Sequence, residues 1–163
     1  MSEKYLLLKR KYSTNKKILL IDCYKEYKNN SVDEVIMFEI NAFSKKESIV
    51  MLLDVYSLRS LSIAIQQSLK NQSFKFKKYT QSGSNKKSLF VAKTQKALYV
   101  NMKDSNYQIS FPFGFIGAAS FAIELEHIAK HLSTKIFEAQ EALATKQSLH
   151  TIDTNNGENS ETT

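Results

Sequence analysis

The sequence predicts an α+β fold built from two copies of a ββββα unit, in which each antiparallel sheet is packed by a helix. Runs rich in β-branched, aromatic and leucine residues alternate with short polar turns in both halves of the chain. Each series of runs is followed by a segment whose apolar residues recur at helical spacing. Local matches between the halves indicate that one half duplicates the other.

The first half contains four predicted strands and one predicted helix. The strands are Tyr5–Tyr12, Lys17–Tyr27, Val35–Phe43 and Ile49–Leu53, separated by polar turns at Ser13–Lys16, Asn29–Asp33 and Ser44–Ser48. The helix follows, with Ser57 as its expected N-cap and with apolar positions at Leu58, Leu61, Ile65 and Leu69.

The second half repeats this order. Its predicted strands are Phe74–Tyr79, Lys87–Thr94, Ala97–Lys103 and Tyr107–Phe111. The predicted turns between them lie at Gln81–Asn85, near Gln95 and Lys96, and at Asp104–Asn106. A longer amphipathic helix follows, and its apolar stripe runs from Ala118 to Ile136.

Three local matches occur in the same order in the two halves. Lys11-Tyr12-Ser13 corresponds to Lys78-Tyr79-Thr80, and Ser62-Ile63-Ala64-Ile65 corresponds to Ser120-Phe121-Ala122-Ile123. Between them, Asn15-Lys16-Lys17-Ile18-Leu19 corresponds to Asn85-Lys86-Lys87-Ser88-Leu89. We therefore expect one domain over residues 1–145, with repeats at about 4–70 and 73–140.

Composition narrows the class of protein. Hydrophobic residues make up 42% of the 163 residues and charged residues 24%, which is typical of a folded domain. No apolar run is long enough to span a membrane or to form a signal peptide, and a lone Cys23 excludes a disulfide framework. These features predict an intracellular, cytoplasmic protein that does not insert into membranes.

The end of the chain differs in charge from the rest. The net charge of the whole chain is +7. Residues 141–163 carry a net charge of −3, so residues 1–140 carry a net charge of +10. Residues 146–163 contain few apolar side chains, and we expect them to form a disordered acidic tail. Such a tail is expected to contact protein partners or to compete for the basic body of the protein.

The basic charge of the body is concentrated in one segment. Nine lysines and no acidic residue lie between Lys70 and Lys103, and Phe76, Tyr79, Phe90 and Tyr99 are interleaved with them. Lysines can follow the phosphates of a single strand while aromatic rings stack on its bases. The segment therefore predicts binding of single-stranded DNA or RNA, without a cofactor.

Alternation along a strand assigns each side chain to one of two faces. Leu98, Val100 and Met102 are expected to face a helix, and Tyr99, Asn101 and Lys103 to face solvent. Matching the first strands of the two repeats places Leu7 and Lys9 inside, together with Phe74 and Phe76. The same matching places Arg10 and Tyr12 on the solvent face, together with Lys77 and Tyr79.

Two ββββα units with basic, aromatic-bearing sheets resemble the Pur and Whirly families. The most similar stretch is the alternating Leu98–Lys103, then Tyr107–Phe111, then Pro112 leading into a helix. The resemblance covers residues 4–140 and implies single-stranded nucleic-acid binding from exposed sheet faces and hairpin tips, with low sequence specificity. It implies contacts by Arg10, Tyr12, Lys16, Lys17, Lys75, Lys77, Tyr79, Lys86, Lys87, Phe90, Lys96, Tyr99, Asn101 and Lys103.

Other functions find less support in the sequence. The first alternative is a protein–protein interaction module whose basic face docks an acidic partner. His127 and His131 have the spacing of a helical metal pair, but they lack an HExxH motif, so we predict no metal site and no enzyme. Neither predicted helix has the basic character of a recognition helix, which argues against binding of duplex DNA.

The apolar second helix, which extends past Ile136, predicts a homodimer or a larger oligomer.

Overall fold

The computed structural model describes residues 2–72, 76–82 and 85–161, with the backbone alone for residues 81–82 and 150–161. The predicted order of elements is confirmed. In the first unit, strands β1 (Glu3–Ser13), β2 (Ile18–Lys28), β3 (Ser31–Ala42) and β4 (Glu47–Leu53) precede helix α1 (Val55–Leu69). In the second, β5 (Lys77–Ser82), β6 (Asn85–Lys93), β7 (Leu98–Lys103) and β8 (Gln108–Phe113) precede α2 (Phe115–Glu161).

Each set of four strands forms an antiparallel meander, the first sheet in the order β1-β2-β3-β4 and the second in the order β5-β6-β7-β8. The β2–β3 hairpin is tighter than predicted, because β3 already begins at Ser31. Asn29 makes this tight turn with a φ of 49°, a left-handed conformation that asparagine tolerates better than most residues.

The two units are intertwined through their helices. α2 follows the second sheet but packs on β3 of the first, whereas α1 follows the first sheet and packs on β6 of the second. The helices also pack against each other, and the Ser62 hydroxyl donates a hydrogen bond of 2.6 Å to the Ala122 carbonyl. Buried Ala64, Ala118 and Ala122 allow this close approach. Each sheet therefore has one face covered by helix, as predicted.

The core contains the inward-facing residues of both sheets and the apolar stripes of both helices. Leu98, Val100 and Met102 are buried as expected, and Cys23 is fully buried beside Leu19 and Ile21 on β2. Burial raises the pKa of the Cys23 thiol to about 12, so this cysteine is an inert part of the core.

Aromatic contacts join the two units near the start of α2. Tyr12 of β1 packs edge-on against Phe121 of α2 at 4.9 Å between ring centroids, and Phe121 stacks on Phe113 of β8 at 4.6 Å. Edge-on and offset ring pairs of this kind are favourable beyond the area that they bury.

The end of the chain is the segment expected to form an acidic tail. The backbone of α2 extends into this segment and is helical through Glu161. Extending an existing helix avoids the cost of nucleation, and no proline interrupts this segment. Residues 146–149 are nevertheless exposed, so no core packing holds this part of the helix. Within the described residues, no helix has the length and apolar character needed to cross a membrane.

The N-cap of α1 is Asp54 rather than the predicted Ser57. The Asp54 carboxylate accepts a hydrogen bond of 2.7 Å from the Ser57 backbone N–H, and Ser57 itself is buried within the first turn. Hydrogen bonding from the Ser57 side chain, and to a lesser extent from this backbone N–H, holds the pKa of the Asp54 carboxyl below its usual value. An aspartate side chain is an effective cap because its oxygen satisfies a free N–H of the first turn.

Replacing the cap should destabilise the protein. We expect Asp54→Ala to lower the free energy of unfolding by about 1 kcal/mol at pH 7. Asp54→Asn should keep most of the stabilisation that the cap provides, because asparagine is also an effective N-cap. Urea denaturation measures this, with the exposed Asp33→Ala as control. Because the folded-state pKa is lowered, the charged cap stabilises above the ordinary pKa of 3.8 and its contribution is lost as the pH falls through the lowered value. An Asp54→Ala effect that did not decrease in acid would contradict this assignment.

Candidate nucleic-acid interface

The outer face of the second sheet is a lysine-rich surface that contains no acidic side chain among its described residues. Strand register places the side chains of four cross-strand rows on this face. We call this surface the basic face; it comprises Lys77, Tyr79, Lys86, Ser88, Phe90, Ala92, Tyr99, Asn101, Lys103, Gln108, Ser110 and Pro112.

Aromatic rings and lysines are in direct contact on the basic face. The Lys77 ammonium lies 5.0 Å from the Tyr79 ring centroid and 5.5 Å from that of Phe90. Tyr79 is 61% exposed, and Phe90 and Tyr99 are partly exposed. Rings held in this way present accessible π-faces next to fixed positive charge, which suits a base and its phosphate.

A shallow groove of about 330 Å³ crosses one end of the basic face. The groove is lined by Lys77, Tyr79, Lys86, Lys87, Ser88, Lys103, Asp104 and Ser105. The one acid among them, Asp104, accepts hydrogen bonds from the backbone N–H groups of Asn106 and Tyr107. The ammonium groups of Lys77, Lys86 and Lys103 can attract a phosphate and donate hydrogen bonds to its oxygens. The groove therefore offers a site for a phosphate next to an exposed ring.

Seven of the fourteen predicted contact residues are brought together on this face. They are Lys77, Tyr79, Lys86, Phe90, Tyr99, Asn101 and Lys103. Lys16 and Lys96 are exposed in the β1–β2 and β6–β7 turns, where Thr14 and Thr94 hold the backbone by equivalent hydrogen bonds. Lys75 lies outside the described residues.

Arg10 and Tyr12 face the helix side of the first sheet, so their assignment to an exposed sheet face is wrong. Arg10 forms an ion pair of 2.8 Å with Glu124 of α2. Burial, and then the nearby Glu124 carboxylate, raise the pKa of the Tyr12 phenol far above its usual value. By the same register Lys9, which was assigned to the inner face, points outward opposite Asp22.

The difference between the repeats is one of register. Tyr12 lies opposite the core residue Leu19, whereas the core residue Leu89 lies opposite Lys78, which leaves Tyr79 on the other face. A shift of one residue in the pairing of two strands moves every side chain to the opposite face. The two matching Lys-Tyr segments therefore place their tyrosines in different environments.

Lys17 and Lys87 are used within the fold. The Lys17 ammonium donates to the Ser110 carbonyl of β8, and the Lys87 ammonium donates to the Val50 carbonyl of β4 at 2.8 Å. Burial lowers the pKa of Lys17, and the neighbouring lysines Lys45 and Lys16 lower it further. Both lysines join one unit to the other and are not free to neutralise phosphates.

Four polar residues that sequence reasoning missed also lie on or beside the basic face, and one of them is Ser88, which lies opposite Tyr79 and Lys103. Gln108 and Ser110 on β8 lie opposite Lys103 and Asn101, and they extend the face by one strand. Strand alternation applied to β8 as well as to β7 would have identified both. Tyr107, next to them, is instead anchored by its hydroxyl to the backbone of Ser48.

The outer face of the first sheet has a different character. Lys9, Asp22, Met37 and Leu52 lie side by side across its four strands, so acidic and apolar groups are mixed with lysine. Glu39, on the same face, accepts a hydrogen bond from the Ser48 hydroxyl. Duplication of the unit thus produced one basic face rather than two.

His127 and His131 line a groove with Arg10 and Glu124 on the helix side of β1. No group of three or more histidine, cysteine or acidic side chains in the described part of the chain is placed to hold a metal ion. The Glu124 carboxylate is already paired with Arg10. These contacts account for the cluster as part of the α2–β1 packing.

Comparison with known proteins identifies the fold. No protein-family model and no curated protein matches the chain. Among solved structures, it is similar to WHY1 from Arabidopsis thaliana (TM-score 0.59, 13% identity, 88% of this chain and 93% of that chain). It is also similar to WHY3 from Arabidopsis thaliana (0.55, 13%, 90% and 97%) and to the plant transcriptional regulator PBF-2 (0.56, 11%, 85% and 86%). The chain therefore has the Whirly-like fold that the sequence predicted.

The two matching tyrosines should respond differently to truncation. We expect Tyr12→Ala to lower the free energy of unfolding by about 3 kcal/mol, because it removes a ring packed between β1, β8 and α2. Tyr79→Ala should change it by less than about 0.5 kcal/mol, because its ring is exposed. Urea denaturation followed by circular dichroism compares the two, and equal effects would contradict the register described here.

Proposed function

We propose that this protein binds single-stranded nucleic acid, DNA in preference to RNA, through the basic face and with low sequence specificity. The observation that carries the proposal is a sheet face whose described side chains include lysines and exposed aromatic rings in contact with one another, and no acid. The proposed role is that of a non-enzymatic, cytoplasmic binding protein.

The lysines supply the part of the affinity that does not depend on sequence. Lys77, Lys86 and Lys103 are the described lysines of the basic face. Each phosphate that they neutralise releases counterions, which on a single strand lowers the logarithm of the binding constant by about 0.7 per tenfold rise in salt. Three such contacts correspond to a slope of about −2 for each bound protomer.

The aromatic rings favour unpaired bases. Tyr79, Phe90 and Tyr99 lie on the same face and expose part of their rings. A ring that stacks on a base contributes about 1–3 kcal/mol, and it accepts any base because every base has a π-face. Bases within a duplex already stack on one another, so this surface should prefer single strands.

The Whirly-like fold supports the same function. The Whirly family, which the sequence resembles, binds single-stranded DNA or RNA through its sheets. One of the structures similar to this chain is described as a plant transcriptional regulator. The position of the lysines and rings on an uncovered sheet agrees with that mode of binding.

Fluorescence anisotropy with a labelled mixed-sequence strand of about 30 nucleotides tests the proposal. We expect tight binding to single-stranded DNA, weaker binding to RNA, still weaker binding to duplex DNA, and a salt slope of about −2 per protomer. Absence of binding to all three at low salt would overturn the proposal.

Variants of the basic face separate base stacking from simple charge attraction. Tyr79→Ala and Tyr99→Ala should each weaken single-strand binding by about tenfold without changing the salt slope. Lys77→Ala should weaken binding and reduce the slope by about 0.7. Tyr5→Ala and Lys4→Ala are matched controls, since both residues are exposed away from this face. Binding lost with lysine but not with tyrosine would instead favour an acidic protein partner.

We also propose that the protein self-associates through its helices. Tyr56 and Ile63 of α1, and Ile116 and Ile123 of α2, are exposed apolar residues spaced by seven. This spacing places each pair on one side of its helix, and a hydrogen bond from Gln66 to Glu126 aligns the helices beside them. An exposed apolar stripe of this size is typical of an interface, here with a second copy of the chain.

A charge in this stripe should dissociate the oligomer. We expect Ile123→Glu to be monomeric and wild type to be a dimer or larger when measured by light scattering after gel filtration. Leu52→Glu is the control, because Leu52 is equally exposed but lies on the outer face of the first sheet. A monomeric wild-type protein would contradict the proposed self-association.

A further inference from the structure

An asparagine lies at the centre of the basic face. Asn101 on β7 lies between Phe90 of β6 and Ser110 of β8, and its neighbours on the same face of β7 are Tyr99 and Lys103. The residue is only 3% exposed. No described hydrogen bond occupies its side-chain amide, and the amide atoms are not among the buried unpaired polar atoms of the described residues, which are the Tyr12 hydroxyl and one Asp22 carboxylate oxygen. It therefore forms a polar floor between larger side chains.

This amide is unfavourable for the fold. Asparagine is depleted in β-strands, whereas valine and threonine fit a central strand well. Residues that oppose the local structure in this way are commonly retained for function.

The amide offers, at the centre of the face, a combination that the lysines cannot supply. Lysine ammonium groups donate hydrogen bonds but cannot accept them, whereas the asparagine side chain has an acceptor and a donor side by side. An unpaired base presents the same combination on its Watson–Crick edge; thymine, for example, presents its N3–H donor beside an O4 acceptor. In a duplex this edge is occupied by the opposite base.

We propose that Asn101 reads the Watson–Crick edge of one unpaired base in each protomer, while Phe90 and Tyr99 hold that base by stacking. The proposal rests on the single-strand binding proposed above, and it adds a hydrogen-bonded position to the stacking of bases and the attraction of phosphates. Rotation of the side-chain amide by 180° exchanges the positions of its donor and its acceptor, so the amide can pair with the Watson–Crick edge of any of the four bases. It therefore selects unpaired bases rather than a sequence.

A modified oligonucleotide tests this inference on the wild-type protein. We compare binding of a short oligothymidine with that of the same strand containing N3-methylthymine, which keeps the phosphates and the stacking surface but loses the N3–H donor. We expect the methylated strand to bind about tenfold more weakly. Equal binding of the two strands would overturn the inference, whereas failure to bind either would overturn the proposed function as well.

Variants assign the effect to Asn101. Asn101→Val and Asn101→Thr should bind the two strands equally, and Asn41→Val, which changes an asparagine on the outer face of the first sheet, should keep the tenfold difference. Discrimination retained in the Asn101 variants would contradict the inference.

Thermal stability distinguishes this role from a structural one. Because valine fits a central strand better than asparagine does, Asn101→Val should keep or raise Tm while discrimination is lost. A fall in Tm would show that the amide stabilises the fold and would also contradict the inference.

Discussion

Packing of the two helices against each other and across opposite sheets is the contact on which the remaining structure depends. α2 covers the first sheet and α1 covers the second, and the Ser62–Ala122 hydrogen bond joins them where small side chains allow close approach. Since the helices cover only the inner face of each sheet, both outer faces stay uncovered. A ligand surface can therefore change without altering the core, because side chains on opposite faces of a strand do not compete for space.

The duplicated units have used this freedom differently. The second sheet carries lysines and rings on its outer face, whereas the first carries Asp22 and Met37 at its centre. Lysines that match between the repeats have also diverged in use, since Lys17 and Lys87 bind backbone carbonyls of the opposite unit. Some lysines of the basic segments thus join the two units, whereas others form the basic face.

In the proposed binding of a single strand, three kinds of side chain on the basic face have separate physical roles. Lysines such as Lys77 and Lys103 act at long range and weaken with salt, whereas Tyr79 acts only on contact. Asn101 acts at shorter range still, because a hydrogen bond requires a defined distance and direction. Affinity, preference for single strands and recognition of an unpaired base edge would then depend on different residues of one sheet.

The sequence by itself determined the order of elements, the duplication and the alternation of Leu98–Lys103, because these follow from covalent geometry and local hydrophobic pattern. It also identified the residues of β7 that face outward. The structure alone decided which matching residues share a face. Tyr12 faces the core while Tyr79 faces solvent, because strand register differs by one residue between the repeats. Likewise, Arg10 meets Glu124 only because α2 crosses to the other unit, a contact between distant segments that no local pattern encodes.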